Sequence, residues 1–350
     1  MNLDIVLPLF GNVDIKVFEK VIKQSLQIDK MPLSKVLVIG DVGQGSLTSP
    51  LISGAYYRAA HNLGINTELH IQNHKFVNED IDVALARKLK TLPKNSVMIL
   101  NVSNKIGKFD FHSKSFRNYC QKNGHRYLSS SGLMNVKERH LKYFIDSLNV
   151  DFKTQHKFGE KIKKALDNAS EINIQTKAGT DLTLNLKGRT SINNSGIYNM
   201  LGKGGNMPAG EVYIPPIEDT AEGKLVLDGS IRTWKKTILP TEPIVVEIEK
   251  GQVKMIRKSA MSNLLKDTFA WAARRSKFPE RTKKVCELGI GTNKSAKIIG
   301  TTIVDEKKYG TAHIAFGSNS WMGGAIKAKT HFDQVFKNPI FRIDGKLFNF

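Results

Sequence analysis

The last third of this 350-residue chain carries two acidic and two histidine motifs whose residue types suit a metal ion: Gly210-Glu211-Val212, Glu287-Leu288-Gly289-Ile290-Gly291, His313-Ile314-Ala315-Phe316-Gly317 and His331-Phe332-Asp333. Imidazole nitrogen combined with carboxylate oxygen favours zinc, manganese, cobalt or ferrous iron over calcium, which takes an oxygen shell. In His331-Phe332-Asp333 the outer residues are i and i+2 of an extended segment, so imidazole and carboxylate point the same way and can converge on one ion. Of the nine histidines only His313 and His331 fall after residue 156, each beside small residues and glycines. Gly317, Gly323 and Gly324 let the backbone between them approach closely and turn sharply, as a ligand-bearing loop must.

Such residues need strands to hold them, and the sequence predicts two kinds. Up to residue 150, short apolar runs alternate with amphipathic ones: Lys35 to Gly40, Leu51 to Leu63, Thr67 to Ile71 and Ser96 to Val102. They read as strand, helix, strand, strand. Pro50 suits a first helical turn and Gly64 a helix stop, so residues 35 to 72 form a right-handed βαβ crossover in a parallel sheet. Gly40 to Ser46 fits neither the dinucleotide nor the P-loop glycine spacing and reads as a plain strand-to-helix turn.

Helical patterns at Glu138 to Leu148 and Phe158 to Leu166 lead into a different texture. Ile172 to Thr176 and Leu182 to Leu186 alternate apolar and polar residues around Lys177-Ala178-Gly179-Thr180, a β-hairpin pattern. Strands are predicted at Glu211 to Ile214, Lys224 to Ile231, Ile244 to Ile248 and Val253 to Ile256, and one helix at Met261 to Arg275. The fold expected is an α/β N-terminal domain with a parallel sheet over 1–150 and a mainly antiparallel, β-rich α+β domain carrying the metal site over 151–350. Glu211 and Glu287 fall at strand starts or ends, where side chains can project into a cleft.

Composition narrows the setting. The length favours two cores, and 40% hydrophobic residues can fill them. No apolar stretch approaches the roughly 20 residues that crossing a bilayer requires, and Met1 to Asp14 has Asp4 and no basic leader, so a soluble cytoplasmic protein with no membrane partner is expected. Cys120 and Cys286 form no redox or metal pair, and on a strand Cys286 would face away from Glu287 as a small buried apolar residue. The net charge is +21, densest from Lys254 to Lys284. Without a nucleic-acid-binding motif or a basic-aromatic alternation, nucleic acid is not an expected partner.

Taken in order, Gly179-Thr180-Asp181-Leu182, Gly188-Arg189, Asn206 to Val212, Glu287 to Gly291, Gly310 to Gly317 and His331-Phe332-Asp333 resemble the aminopeptidase T family of metallopeptidases over residues 157 to 350. The resemblance implies two divalent ions, zinc, cobalt or manganese, held by Glu211, Glu287, His313, His331 and Asp333. Either glutamate could also shuttle a proton. It implies peptide substrates cut by a metal-activated water, with a homodimer as an allowed assembly. Two features set the chain apart: Ser318-Asn319-Ser320-Trp321 stands where the family carries a tyrosine, and the interval from His313 to His331 is short. Tyr213, Tyr309 and Trp321 read as packing residues. A related branch, the 2,5-dihydroxypyridine dioxygenases, uses a single ferrous ion held by two histidines and an aspartate. The alternative expectation is therefore one Fe(II) on His313, His331 and Asp333 and oxidative ring opening.

Overall fold

The computed structural model describes residues 13–76, 79–109 and 115–349. The opening stretch read for a leader lies, up to residue 12, outside them. Among the described residues no helix is long and apolar enough to cross a membrane. The chain forms two compact units, Met1–Lys153 with Gly196–Ala209, and Thr154–Ser195 with Gly210–Phe350.

In the first unit β1 (Val36–Asp41), β2 (Thr67–Gln72), β3 (Val97–Val102) and β4 (Arg126–Ser131) pair in parallel, with helix Thr48–Asn62 crossing from β1 to β2. β1 and β3 are buried along their whole length, which is why they read as unbroken apolar runs. A single division at residue 150 does not anticipate residues 196–209. This segment returns to the first unit because β8 (Gly204–Asn206) adds a fifth parallel strand beside β4, giving the order β2-β1-β3-β4-β8. Only glycine permits that approach at residue 204, since a Cβ there would stand 2.1 Å from the Tyr127 carbonyl oxygen.

The second unit holds two seven-stranded sheets. One contains β5 (Glu171–Gln175), β6 (Asp181–Asn185), β10 (Glu222–Leu227), β13 (Ile244–Glu249), β14 (Gln252–Ile256), β18 (Ile340–Ile343) and β19 (Lys346–Phe348) in the order β14-β13-β10-β6-β5-β18-β19. The other contains β7 (Ile192–Asn194), β9 (Glu211–Ile214), β11 (Ser230–Arg232), β12 (Thr237–Ile238), β15 (Val285–Gly291), β16 (Thr311–Gly317) and β17 (His331–Lys337) in the order β12-β11-β17-β16-β15-β9-β7. Every pairing in both is antiparallel.

The expected strand from Lys224 to Ile231 is two strands in different sheets. Asp228-Gly229 breaks it, and Gly229 lies so close to β17 that a Cβ would meet the Val335 carbonyl oxygen at 2.7 Å.

One core joins the two sheets. Ile172, Ile174, Leu182, Leu184, Leu225, Leu227 and Val246 face Val212, Ile214, Leu288, Ile290, Ile314, Phe316 and Phe336, and Leu265 and Phe269 of helix Ser262–Arg274 join them. Phe316 is fully buried, edge-on to Phe269 with ring centroids 5.4 Å apart. Phe316→Ala leaves a cavity behind the strand that carries His313, and the expected loss of stability is about 3–5 kcal/mol. Denaturant unfolding measures it; a loss below about 1 kcal/mol would contradict this packing.

Candidate metal centre

β9, β15, β16 and β17 lie side by side, and strand alternation sorts their side chains into two faces. Val212, Leu288, Ile290, Ile314 and Phe316 go to the core, which leaves Glu211, Glu287, His313, His331 and Asp333 on the opposite face. The register then brings them together. Ala315 pairs with both Glu287 and Asp333, Gly317 with His331, and Gly289 with His313. The residues between the donors are small, so long side chains can bend toward one point. Gly289 is the tightest case, because a Cβ there would lie 2.0 Å from His313 Cε1 and 2.1 Å from Nε2.

Four of the five expected residues meet directly. His313 Nε2 is 3.3 Å from Glu287 Oε1, and His331 Nε2 is 3.1 Å from Glu287 Oε2 and 3.0 Å from Asp333 Oδ1. Ligand atoms of Glu287, His313 and Asp333 all lie within 4.8 Å of one another. Bonds of about 2.0–2.2 Å to a four- to six-coordinate ion place neighbouring donor atoms about 3 Å apart, so these spacings fit one ion. His331 is oriented from behind: its Nδ1 donates to the Ser318 carbonyl oxygen at 2.8 Å, which fixes the tautomer that leaves the Nε2 lone pair facing the carboxylates.

Glu211, the fifth residue, is only loosely attached to this group. Its Oε2 is 4.0 Å from His313 Nε2, while its Oε1 accepts from Asn194 Nδ2 at 3.0 Å and is bonded to the Lys307 ammonium. Lys307 also lies 2.6 Å from Glu306 Oε1. Glu211 is thus already bound by an ammonium of the chain, beside the four residues that meet directly.

The electrostatics follow from burial opposed by contact. Burial disfavours charge on His313, but the hydrogen bond to Glu287 and the fields of Asp333, Glu287 and Glu211 outweigh it and push the imidazole up to about 9. Burial would raise Asp333, yet the charge of His331, its hydrogen bond, His313 and Lys307 hold the carboxyl well below its ordinary range. Glu287 is likewise lowered by the two imidazoles against the cost of burial. The carboxylates thus stay ionised, and a cation satisfies them with the imidazoles neutral.

Two sequence readings change here. Cys286 does not face away from the donors: a bulge between Val285 and Glu287 places its Sγ 3.5 Å from His331 Nδ1 and packs it with Ala315 and Ile326. Burial pushes this thiol up to about 11, so it is neutral and not a nucleophile. Trp321 packs on one side only: its ring lies 4.8 Å from and edge-on to His331, and the residue stays 47% exposed. Glu306 and Lys307 were missed altogether, because Asp305-Glu306-Lys307-Lys308 reads as a solvated charged turn. The one signal was their position shortly before the His313 motif.

A family model for 2,5-dihydroxypyridine 5,6-dioxygenase (NicX) matches residues 118–348. The curated 2,5-dihydroxypyridine 5,6-dioxygenase of Pseudomonas putida KT2440 is 28% identical over 196 residues, 52% of this chain and 53% of that protein, so the match spans about half the relative's length. Among solved structures, 2,5-dihydroxypyridine dioxygenase from Pseudomonas putida KT2440 matches with a TM-score of 0.71 at 20% identity, covering 95% of this chain and 94% of that one. AmpT from Thermus thermophilus matches with a TM-score of 0.58 at 13% identity, covering 93% and 94%. Both show the same two-part fold, an α/β half with a parallel sheet and a half built of antiparallel sheets.

Gly289→Ala tests the geometry without touching a donor. Its backbone is not in the left-handed region, so the effect is steric: the His313 ring must move, and metal affinity is expected to fall roughly 10- to 100-fold with the fold retained. Competition against a coloured chelator reads the affinity. An unchanged value would show that the ring does not lie against residue 289.

Proposed function

The chain belongs to the 2,5-dihydroxypyridine 5,6-dioxygenase (NicX) family, and from that premise we propose that it is a mononuclear iron(II) dioxygenase that opens a hydroxylated nitrogen-containing aromatic ring. The observation that carries this reading is the single knot of donors, with Glu287, His313 and Asp333 mutually within 4.8 Å and His331 in contact with two of them. His313, His331 and Asp333 would hold the ion, with Glu287 at hand as a fourth donor. Ferrous iron on two histidines and a carboxylate supplies the open positions and the electron that dioxygen chemistry on an electron-rich ring requires.

The protein's own residues supply the rest. The Ser318 carbonyl fixes the His331 ring, and Gly289 leaves the room that seats His313. Trp321 offers an exposed aromatic face beside His331, suited to a planar substrate. Glu306 can hold a proton near neutral pH: burial pushes it up to about 8, Lys307 pulls against this, and the charges of Asp333 and Glu211 reinforce it.

A second reading keeps one supporting observation. Glu211 Oε2 stands 4.0 Å from His313 Nε2, within reach of a two-ion hydrolytic centre of the aminopeptidase kind.

The two readings are separated by loading the protein anaerobically with Fe(II) and offering 2,5-dihydroxypyridine under air. Oxygen uptake equal to ring loss is expected, with no release of N-terminal residues from short peptides. Trp321→Ala should raise KM roughly 3- to 10-fold and change kcat less. Chelator-sensitive peptide cleavage restored by zinc, cobalt or manganese, with no oxygen uptake, would overturn the proposal in favour of the hydrolase.

A further inference from the structure

We propose that Lys307 is a built-in cation standing where a second divalent ion would otherwise bind, and that it fixes the centre at one metal per chain. The inference rests on the one-ion reading above and extends it to the residue that enforces it. The Lys307 side chain is 1% exposed, and its two carboxylate partners, Glu211 and Glu306, are 6% and 9% exposed. The other oxygen of Glu211 faces His313, so a single carboxylate spans the distance from the ammonium to the donor cluster.

The position is built into the backbone. The Lys307 carbonyl accepts from the Asn293 amide at 2.8 Å, and the Tyr309 amide donates to the Asn293 carbonyl at 2.9 Å, pinning the segment on both sides of Lys308. Gly291, paired with Glu211 across the sheet, lets it lie close, since a Cβ there would meet the Lys308 carbonyl oxygen at 2.1 Å.

Charge counting gives the consequence. Glu287 and Asp333 with two neutral imidazoles balance one dication. Glu211 and Glu306 can carry two negative charges once Glu306 gives up its proton beside a cation, and Lys307 offsets one of them. A second dication in contact with the ammonium would meet like charge in a buried setting. With the ammonium gone, the same two carboxylates would balance it fully. Lys307 therefore acts as a positioning residue, through Glu211 and by excluding a metal, without touching the donors of the first ion.

The test is metal stoichiometry by elemental analysis after anaerobic titration with Zn²⁺ or Mn²⁺ and gel filtration, with circular dichroism as the check on folding. Wild type is expected to hold one ion, Lys307→Met two, and Lys307→Met/Glu211→Gln one again. Two ions in wild type, or one in folded Lys307→Met, would overturn the inference. If Lys307→Met does not fold metal-free, refolding with Zn²⁺ to two ions per chain supports it. Failure of zinc to rescue that variant while the double variant folds overturns it. The readout needs neither dioxygen nor an organic substrate. One ion per chain without oxygen uptake would remove the functional reading and leave this one standing.

Discussion

The period of two along an antiparallel strand is the constraint on which the rest of this site depends. On β15, β16 and β17 one set of side chains must fill the core shared by two sheets, and Leu288, Ile314, Phe316 and Phe336 do so. The residues between them have nowhere to go but the other face. A slip of one residue in any of these strands would bury a histidine or a carboxylate in that core and expose a large apolar side chain, so the force that holds the core together also holds the donors in register. The metal centre inherits its geometry from hydrophobic packing on the far side of the same strands.

Having collected several acids on a nearly dry face, the fold must supply positive charge. Buried carboxylates stay ionised only beside cations. Two solutions operate side by side here. Glu287 and Asp333 are matched by His313 and His331, groups that can give up their protons to a metal ion. Glu211 and Glu306 are matched by an ammonium that is part of the chain. The boundary between these solutions runs through Glu211, whose oxygens face both ways.

Close backbone approach is the second requirement, and glycine meets it at each critical place. Gly289 makes room for the His313 ring, Gly291 admits the Lys307 segment and Gly204 brings a late stretch of chain beside β4. In sequence these glycines are indistinguishable from glycines that merely turn the chain. Their role shows only once it is known what lies against them.

Much was legible in the residues alone. Unbroken apolar runs such as Val36 to Gly40 marked fully buried parallel strands, and alternation marked the hairpin of β5 and β6. The His-x-Asp spacing forced two donors to one side of an extended strand, whatever its neighbours. These properties are local, fixed by backbone period and side-chain type. Pairing across the chain is not local. The break at Asp228-Gly229, the bulge that turns Cys286 toward His331, the return of residues 196–209 to the first unit and the burial of Lys307 against Glu211 all depend on which surface a segment meets. The sequence by itself determined the donor types and the strands that carry them. Tertiary structure alone decided that four donors converge and that the fifth is held by a lysine, because the same Asp-Glu-Lys-Lys run is a solvated turn in water and an ion pair when a sheet closes over it.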